Sequence, residues 1–292
     1  MDTRHMRLFV ALGETLNFGQ AAARMNMTQP PFSRQIANLE RDIGTVLVDR
    51  SARQTRLTAA GQRFLEDARK VLASFEDACR DARLVGEGLK GELRLGFMMH
   101  AAHRLVPNLL RAYTALRPDV RVRLEETTPG EIENLLLSGV LDAGITFAGR
   151  TTPALHEVEV MRDTLSFVCC PTHPLAKRAI IHPEDLKAQP LIAAPDQTVA
   201  VLRHAITEFL ARAGLPAHFT LEPKLQNTVL RLIAADLGVA LVPSSICDQL
   251  GAEVVMRPLF QPPHLSVVLK TRRDADNAAL APLITLAQNI NI

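Results

Sequence analysis

No run of apolar side chains in these 292 residues is long enough to span a membrane, and no secretory apolar stretch follows Met1, so a cytoplasmic chain is expected. The four cysteines, Cys79, Cys169, Cys170 and Cys247, show neither metal-ligand spacing nor a disulfide framework, which fits a reducing compartment. Cys169 and Cys170 are adjacent in an apolar run and read as buried strand residues, with nothing in the sequence to lower a thiol pKa. There is no nucleophile elbow, no phosphate-cradling glycine loop and no metal-ligand cluster. An enzyme, a metal site and a resident cofactor are therefore not expected. Net charge is also scarce: the formal value is +2, so the whole chain is no generic polyanion binder. Lysine is missing from the first sixty residues, yet Arg4, Arg7, Arg24, Arg34, Arg41, Arg50, Arg53 and Arg56 outnumber Asp2, Glu14, Glu40, Asp42 and Asp49. Arginine pairs bidentately with phosphate and guanine. The length implies more than one packed core.

One stretch organises the rest. Asn17 to Glu40 reads as two short helices at a tight turn. Thr28 is the expected N-cap of the second, its hydroxyl accepting an orphan N–H, and Pro30 and Pro31 sit in the first turn, where a missing donor costs little. Phe32, Ile36 and Leu39 form one apolar face. Gln29, Ser33 and Arg34 lie opposite, with Gln35 beside them; such side chains reach base edges and phosphates from a helix in a major groove. A preceding helix should bring Met6, Phe9, Val10 and Leu12 to the hairpin, and Gly44 should cap the second helix.

This stretch resembles the helix-turn-helix of the LysR-type transcriptional regulators. The matching residues are Phe18-x-x-Ala21-Ala22, Gln29-Pro30-Pro31-Phe32-Ser33 and Ile36-x-x-Leu39-Glu40, then Leu47, Arg50, Leu57-Thr58 and Ala60-Gly61. The resemblance runs over essentially the whole chain. It implies a wing starting at Leu47 and Val48 and turning through Arg50 to Arg56, with Arg50 and Arg53 against the DNA backbone or in the minor groove, positioning rather than reading. The DNA-binding set is Thr28, Gln29, Pro30, Pro31, Ser33, Arg34, Arg50 and Arg53.

Thr58 is the expected N-cap of a helix running to about Leu89. Leu65, Ala68, Leu72, Phe75, Cys79 and Ala82, then Gly86, alternate steps of three and four, a heptad seam amid charged residues. A helix of roughly 45 Å has little to pack on in a small protein, so it is expected to pair with a second copy; in the family it is the linker helix.

Gly86, Gly88 and Gly91 mark an expected hinge, after which short apolar strands alternate with helices. Strands over Leu93–Phe97, Val120–Leu124 and Leu141–Phe147, with helices over Leu105–Leu116 and Gly130–Leu137, form a βαβαβ run and imply a parallel sheet. A second run has strands Leu165–Cys170, Leu191–Ala194, Phe219–Leu221 and Gly238–Pro243, with helices Val199–Ala213 and Leu225–Ala235. Leu265–Leu269 should return to the first sheet and Ala278–Ile290 close it with a helix. Two such lobes resemble the periplasmic-binding-protein fold of LysR-type effector domains. Gly139-x-Leu141-Asp142-Ala143-Gly144, His173-Pro174-Leu175-Ala176 and Ala234-Ala235-x-Leu237-Gly238 carry that resemblance, with Asp236 where the family more often has glycine. Asp142 reads as a turn-fixing residue rather than a catalytic one. The expected fold class is α/β with an N-terminal all-α winged helix-turn-helix, a long linker helix and a two-lobed, type 2 periplasmic-binding-protein-like effector domain. Its divisions are 1–58 (helix-turn-helix 18–37), 59–89 and 90–292, with lobe I about 91–161 and 265–292 and lobe II about 162–264.

Ligands of open α/β folds bind at the carboxyl ends of strands. That selects Met98 to Ala101, Thr127 to Pro129, Phe147, Pro195 to Leu202 and Gln226 to Thr228. From these the effector-binding set is Met98, Met99, His100, Thr128, Pro129, Phe147, Val201, Leu202 and Gln226, and nearby helix N-termini favour an acidic ligand. The chain most resembles the branch controlling aromatic and chloroaromatic catabolism. There a hydroxyl residue follows the first strand and a threonine the second; here His100 and Pro129 stand at those places, with Thr128 just before. Val201 and Leu202 fall where an effector-gripping helix N-terminus is expected. His100 reads either as a cation pairing with a carboxylate or phenolate, or as a packing residue at the cleft mouth. The implied partners are double-stranded promoter DNA, a small acidic or aromatic effector, a second copy through the linker helix with a tetramer beyond it, and RNA polymerase. No catalytic residue, metal or membrane is implied. A solute-binding receptor using the same lobes is the alternative, and the arginine-bearing head weighs against it.

Overall fold

The structure, a computed structural model, describes residues 1–50, 54–149, 152–249 and 251–290, the side chains of 247–249 excepted. The chain forms two units, Met1–Leu84 and Val85–Ile292.

The first unit holds α1 (Thr3–Thr15), α2 (Phe18–Arg24), α3 (Gln29–Ile43), β1 (Val48–Asp49), β2 (Arg56–Leu57) and most of α4 (Ala59–Gly86). Its core gathers Leu8, Phe9 and Leu12 of α1, Ala21 and Ala22 of α2, Phe32, Ile36 and Leu39 of α3, and Leu47, Val48 and Leu65. Each large apolar side chain there is worth roughly 1.5–3 kcal/mol of burial, so the apolar face of α3 anchors it. Gly44 ends α3 with φ +79°. Thr28 occupies the N-cap position but makes no cap hydrogen bond. The expected capping fails for a local reason: a cap oxygen takes its proton from the second or third helical residue, and here those are Pro30 and Pro31.

Helix α4 is capped by Thr58, whose hydroxyl accepts from Gly61 N–H at 3.0 Å, and it ends at Gly86 rather than near Leu89. The expected seam divides. Leu65 belongs to the head core, and Ala68 and Leu72 are buried within one chain; Phe75 is 44% exposed, and Cys79 and Ala82 are exposed. The first turns of α4 are thus part of the head, so Leu65 is not available to a second copy. Gly88 is no open hinge either: it is buried, with φ +66°, and a Cβ there would stand 2.5 Å from the Ala278 carbonyl oxygen.

The second unit begins with β3 (Lys90–Phe97), α5 (Leu105–Leu116), β4 (Asp119–Glu126), α6 (Pro129–Leu137) and β5 (Ala143–Phe147). β3 pairs in parallel with β4 and β5, as the βαβαβ reading requires. Then follow β6 (Leu155–Cys169), β7 (Leu191–Ile192), α7 (Ala200–Ala211), β8 (Phe219–Leu221), α8 (Gln226–Ala234), β9 (Ala240–Pro243), β10 (Val255–Pro258), β11 (His264–Arg272) and α9 (Leu280–Asn289). β6 is longer than the sequence suggested and joins the lobes. Its first part, Leu155 to Thr164, pairs antiparallel with β11, and its last, Leu165 to Cys169, with β9 and β10. β10, unanticipated, edges the second lobe. The first lobe runs β4-β3-β5-β11-β6, and β7 and β8 pair in parallel in the second.

Asp142 fixes the turn before β5. Its carboxylate accepts from the Arg94 backbone N–H at 2.7 Å and from that guanidinium at 2.9 and 3.1 Å. Burial opposes its charge, but the Arg94 hydrogen bonds win and hold the carboxyl below its ordinary pKa. Asp236 takes φ +60°, the left-handed conformation that glycine adopts most readily. Cys169 and Cys170 are buried, and burial, with the neighbouring Cys170 next, pushes the Cys169 thiol up to about 11. Cys247 lies outside the described side chains.

Candidate functional site

Two sites follow from these units. In the head, α3 presents Gln29, Pro30, Pro31 and Arg34 to solvent, with Thr28 exposed just before them and Ser33 half-buried. The buried Phe32 ring, edge-on to Phe18 at 6.2 Å, holds the opposite side. The uncapped Thr28 hydroxyl belongs to the exposed surface. Arg34 is exposed, and among the described residues no acid pairs with it.

Arg50 is held differently. Its guanidinium donates to Glu40 at 2.8 Å and lies 5.7 Å from the Phe18 ring centroid. Glu40 also accepts from the Leu47 and Val48 backbone N–H groups at 2.9 and 3.0 Å. One carboxylate therefore staples the start of the wing to α3, and Arg50 serves that staple in the free protein. β1 and β2 pair antiparallel as the wing hairpin; the expected contact Arg53 lies outside the described residues. Arg34→Ala should weaken binding to a specific promoter fragment by about 1–3 kcal/mol and flatten its sequence preference. Competitive gel shifts check this, and equal affinity of variant and parent would discard the reading role.

In the second unit a cavity of about 420 Å³ opens at the carboxyl ends of β3 and β4, a size suited to a small ligand. Met98, Met99 and His100 enter it from β3, and Thr128 and Pro129 from the start of α6; Gln226 faces them from α8. The other three expected residues do not line it. Phe147 is core, its ring centroid 5.5 Å from that of His100. Leu202 is buried, and Val201 lines a separate cavity with His204 and Pro263. Thr198 and Val199, just before α7 begins at Ala200, face the cleft, whereas Val201 and Leu202, inside the helix, do not line it. Thr127 and Asn227, inside the ranges set by the strand ends, also line the wall. Glu126, Glu131, Ala194, Lys224 and Leu225 do so as well and escaped the sequence reading, because they lie a residue or more outside those ranges.

The cleft's electrostatics are set by a few groups. Thr128 does not offer its hydroxyl to a ligand: it donates to Glu131 at 3.0 Å, and Thr127 donates to the same carboxylate. These hydrogen bonds, that of Thr127 foremost, hold the Glu131 pKa below its ordinary value. The N-terminus of α6 is thus closed by its own capping box. Those of α7 and α8 carry no side-chain cap, so their N–H groups and positive dipole ends remain for an anion. His100 is 7% exposed, and burial, with the His103 charge second, pushes its pKa down to about 4. It is a neutral wall residue at pH 7, neither the expected cation nor a residue at the mouth. Both its ring nitrogens and the Gln226 Nε2 are buried without a hydrogen-bond partner. Among the described residues no three His, Cys, Asp or Glu side chains gather as a metal site, and no helix is long and apolar enough to cross a membrane.

Comparison with known proteins matches both units. Residues 3–62 match the bacterial regulatory helix-turn-helix protein, lysR family, and residues 86–290 match the LysR substrate binding domain. The transcriptional regulator AlsR of Bacillus subtilis is 32% identical over 289 residues, covering 98% of this chain and 95% of AlsR. CatR of Pseudomonas putida is 32% identical over 279 residues, 94% of each chain. The crystal structure of full-length CbnR complexed with its target DNA superposes with a TM-score of 0.84 at 26% identity, covering 99% of both chains. These matches fix the two-lobed type 2 fold of the second unit and a role in regulation rather than catalysis. The chain belongs to the LysR family of DNA-binding transcriptional regulators.

Proposed function

We propose that this regulator senses a small acid in the cleft between its lobes and, through it, controls a catabolic operon from promoter DNA in the cytoplasm. The observation that carries this reading is the cavity itself: strand ends, two uncapped helix N-termini and the buried, unpartnered nitrogens of His100 and Gln226 converge there. Such groups cost free energy unless a ligand satisfies them. Lys224 offers an anion a cationic partner on a wall that also carries Glu126 and Glu131. Two copies would pair along the exposed Phe75, Cys79 and Ala82 of α4, placing two heads on neighbouring half-sites in successive major grooves. A tetramer follows from pairing of the effector domains, and RNA polymerase is the partner on the promoter. Lobe closure on the acid would alter the angle between heads and hence the DNA bend.

Thermal-shift screening of small acids, followed by footprinting, tests this. A binder at 100 times its Kd should stabilise by about 2.7 kcal/mol, a rise of several degrees, and should redraw the promoter footprint. A footprint unchanged at saturation would sink the sensing role.

A further inference from the structure

We infer that His100 selects acids bearing an un-ionised hydroxyl: its imidazole, in the cleft wall with both ring nitrogens unpartnered, meets that hydroxyl while Gln226, Lys224 and the N-termini of α7 and α8 hold the carboxylate. This rests on the cleft reading above and narrows it to a ligand class, the small hydroxy acids.

The argument is one of matching donors and acceptors. A neutral imidazole has one N–H and one lone pair. A hydroxyl both donates and accepts, so it satisfies whichever nitrogen it reaches, in either tautomer. A carboxylate only accepts, and at this site it would be a second anion with poor support. The wall already carries Glu126 and Glu131 against a single Lys224, and His103, the other charge felt by His100, further disfavours the imidazolium. Pairing a carboxylate with His100 would therefore require a proton to be taken up into a desolvated position, which burial opposes. The Phe147 ring, tilted at 47° to the imidazole, backs it from the core side and leaves the polar edge no alternative partner among the described residues. Gln226 adds a buried amide donor with no partner of its own, which suits an acceptor such as a carboxylate.

The test is calorimetric, on the full-length chain. The probes are benzoate, its three monohydroxy derivatives and phthalate, with butanoate, 3-hydroxybutanoate and butanedioate as an aliphatic series. In at least one series a hydroxy acid should bind roughly ten- to hundredfold more tightly than its plain acid, as an unpaired buried polar group discriminates. No proton should be taken up, judged from buffers of different ionisation enthalpy. In His100→Leu that ratio should fall to near one while plain-acid affinity persists; in His100→Gln, which keeps a neutral donor and acceptor, much of it should survive. A hydroxyl preference that survives in His100→Leu overturns the assignment. So does a diacid that binds best with a proton taken up. Plain and hydroxy acids binding equally would remove the role of His100 and leave the cleft as an acid site; no binding by any acid would remove both.

Discussion

Gly61→Ala should unfold or severely destabilise the DNA-binding head. Gly61 lies in the first turn of α4, where the helix runs against the strand entering the wing. A Cβ at this position would stand 2.0 Å from the Leu47 carbonyl oxygen and 2.9 Å from its carbonyl carbon. These are backbone atoms, and they are pinned. That oxygen accepts from Thr58 N–H at 3.0 Å, the Thr58 hydroxyl donates to the Val46 carbonyl at 2.8 Å, and Leu47 N–H donates to Glu40. The strand cannot step aside without releasing the cap of α4 and the staple on Glu40 together. Overpacking against a movable side chain costs about 1–3 kcal/mol; against this backbone we expect about 3 kcal/mol or more. At 4–8 °C per kcal/mol for a unit of this size, the head's Tm should fall by roughly 12 °C or more. Gly86→Ala is the matched control, since nothing lies within 4 Å of its added methyl; alanine there should be neutral or slightly stabilising. Thermal melts followed by helicity, with gel shifts at low temperature, read the difference. A loss below 1 kcal/mol in Gly61→Ala would show that the strand yields.

The double variant Glu133→Gln/Glu157→Gln should cost the effector unit about 3–5 kcal/mol. Lys270 lies on β11 at 0% exposure, and its ammonium is paired with Glu133 of α6 and, at 3.0 Å, with Glu157 directly across on β6. The double change leaves a buried cation among neutral amides. Adding Lys270→Met should recover most of the loss, because it removes the unpaired charge as well. Lys270→Met alone should cost less than the double variant: the Glu133 and Glu157 side chains are 31% and 22% exposed, so the charges it leaves behind lie nearer water than the fully buried ammonium. Urea unfolding at neutral pH measures all three. A double variant within 1 kcal/mol of the parent, or no recovery with methionine, would mean that the pairs contribute little. Because α6 begins at the cleft, this ion-paired triad also ties one wall of that cleft to the sheet.

Local order determined much of this protein. The four- and three-residue spacing of Phe32, Ile36 and Leu39 set the buried face of α3, and Leu105–Leu116 was legible as a helix to the residue, because periodicity is written in neighbours along the chain. The βαβαβ order carried the parallel sheet, since a crossover helix leaves few other arrangements. The prolines that disable the Thr28 cap were equally visible. What only the tertiary structure decided was every property that depends on residues distant in sequence. Val201 and Leu202 stand in the first turn of α7, yet the cleft is lined by Thr198 and Val199, which precede that helix. Leu65 read as a seam residue until the head claimed it. The engagement of Arg50 by Glu40 and Phe18 was not written in its neighbours along the chain. His100 lost its charge, and Lys270 kept its two acids, through burial by strands and helices far along the chain. The reason is physical: a pattern of apolar residues states that a face must be covered, but only the packed neighbours fix what covers it, and desolvation follows from that cover.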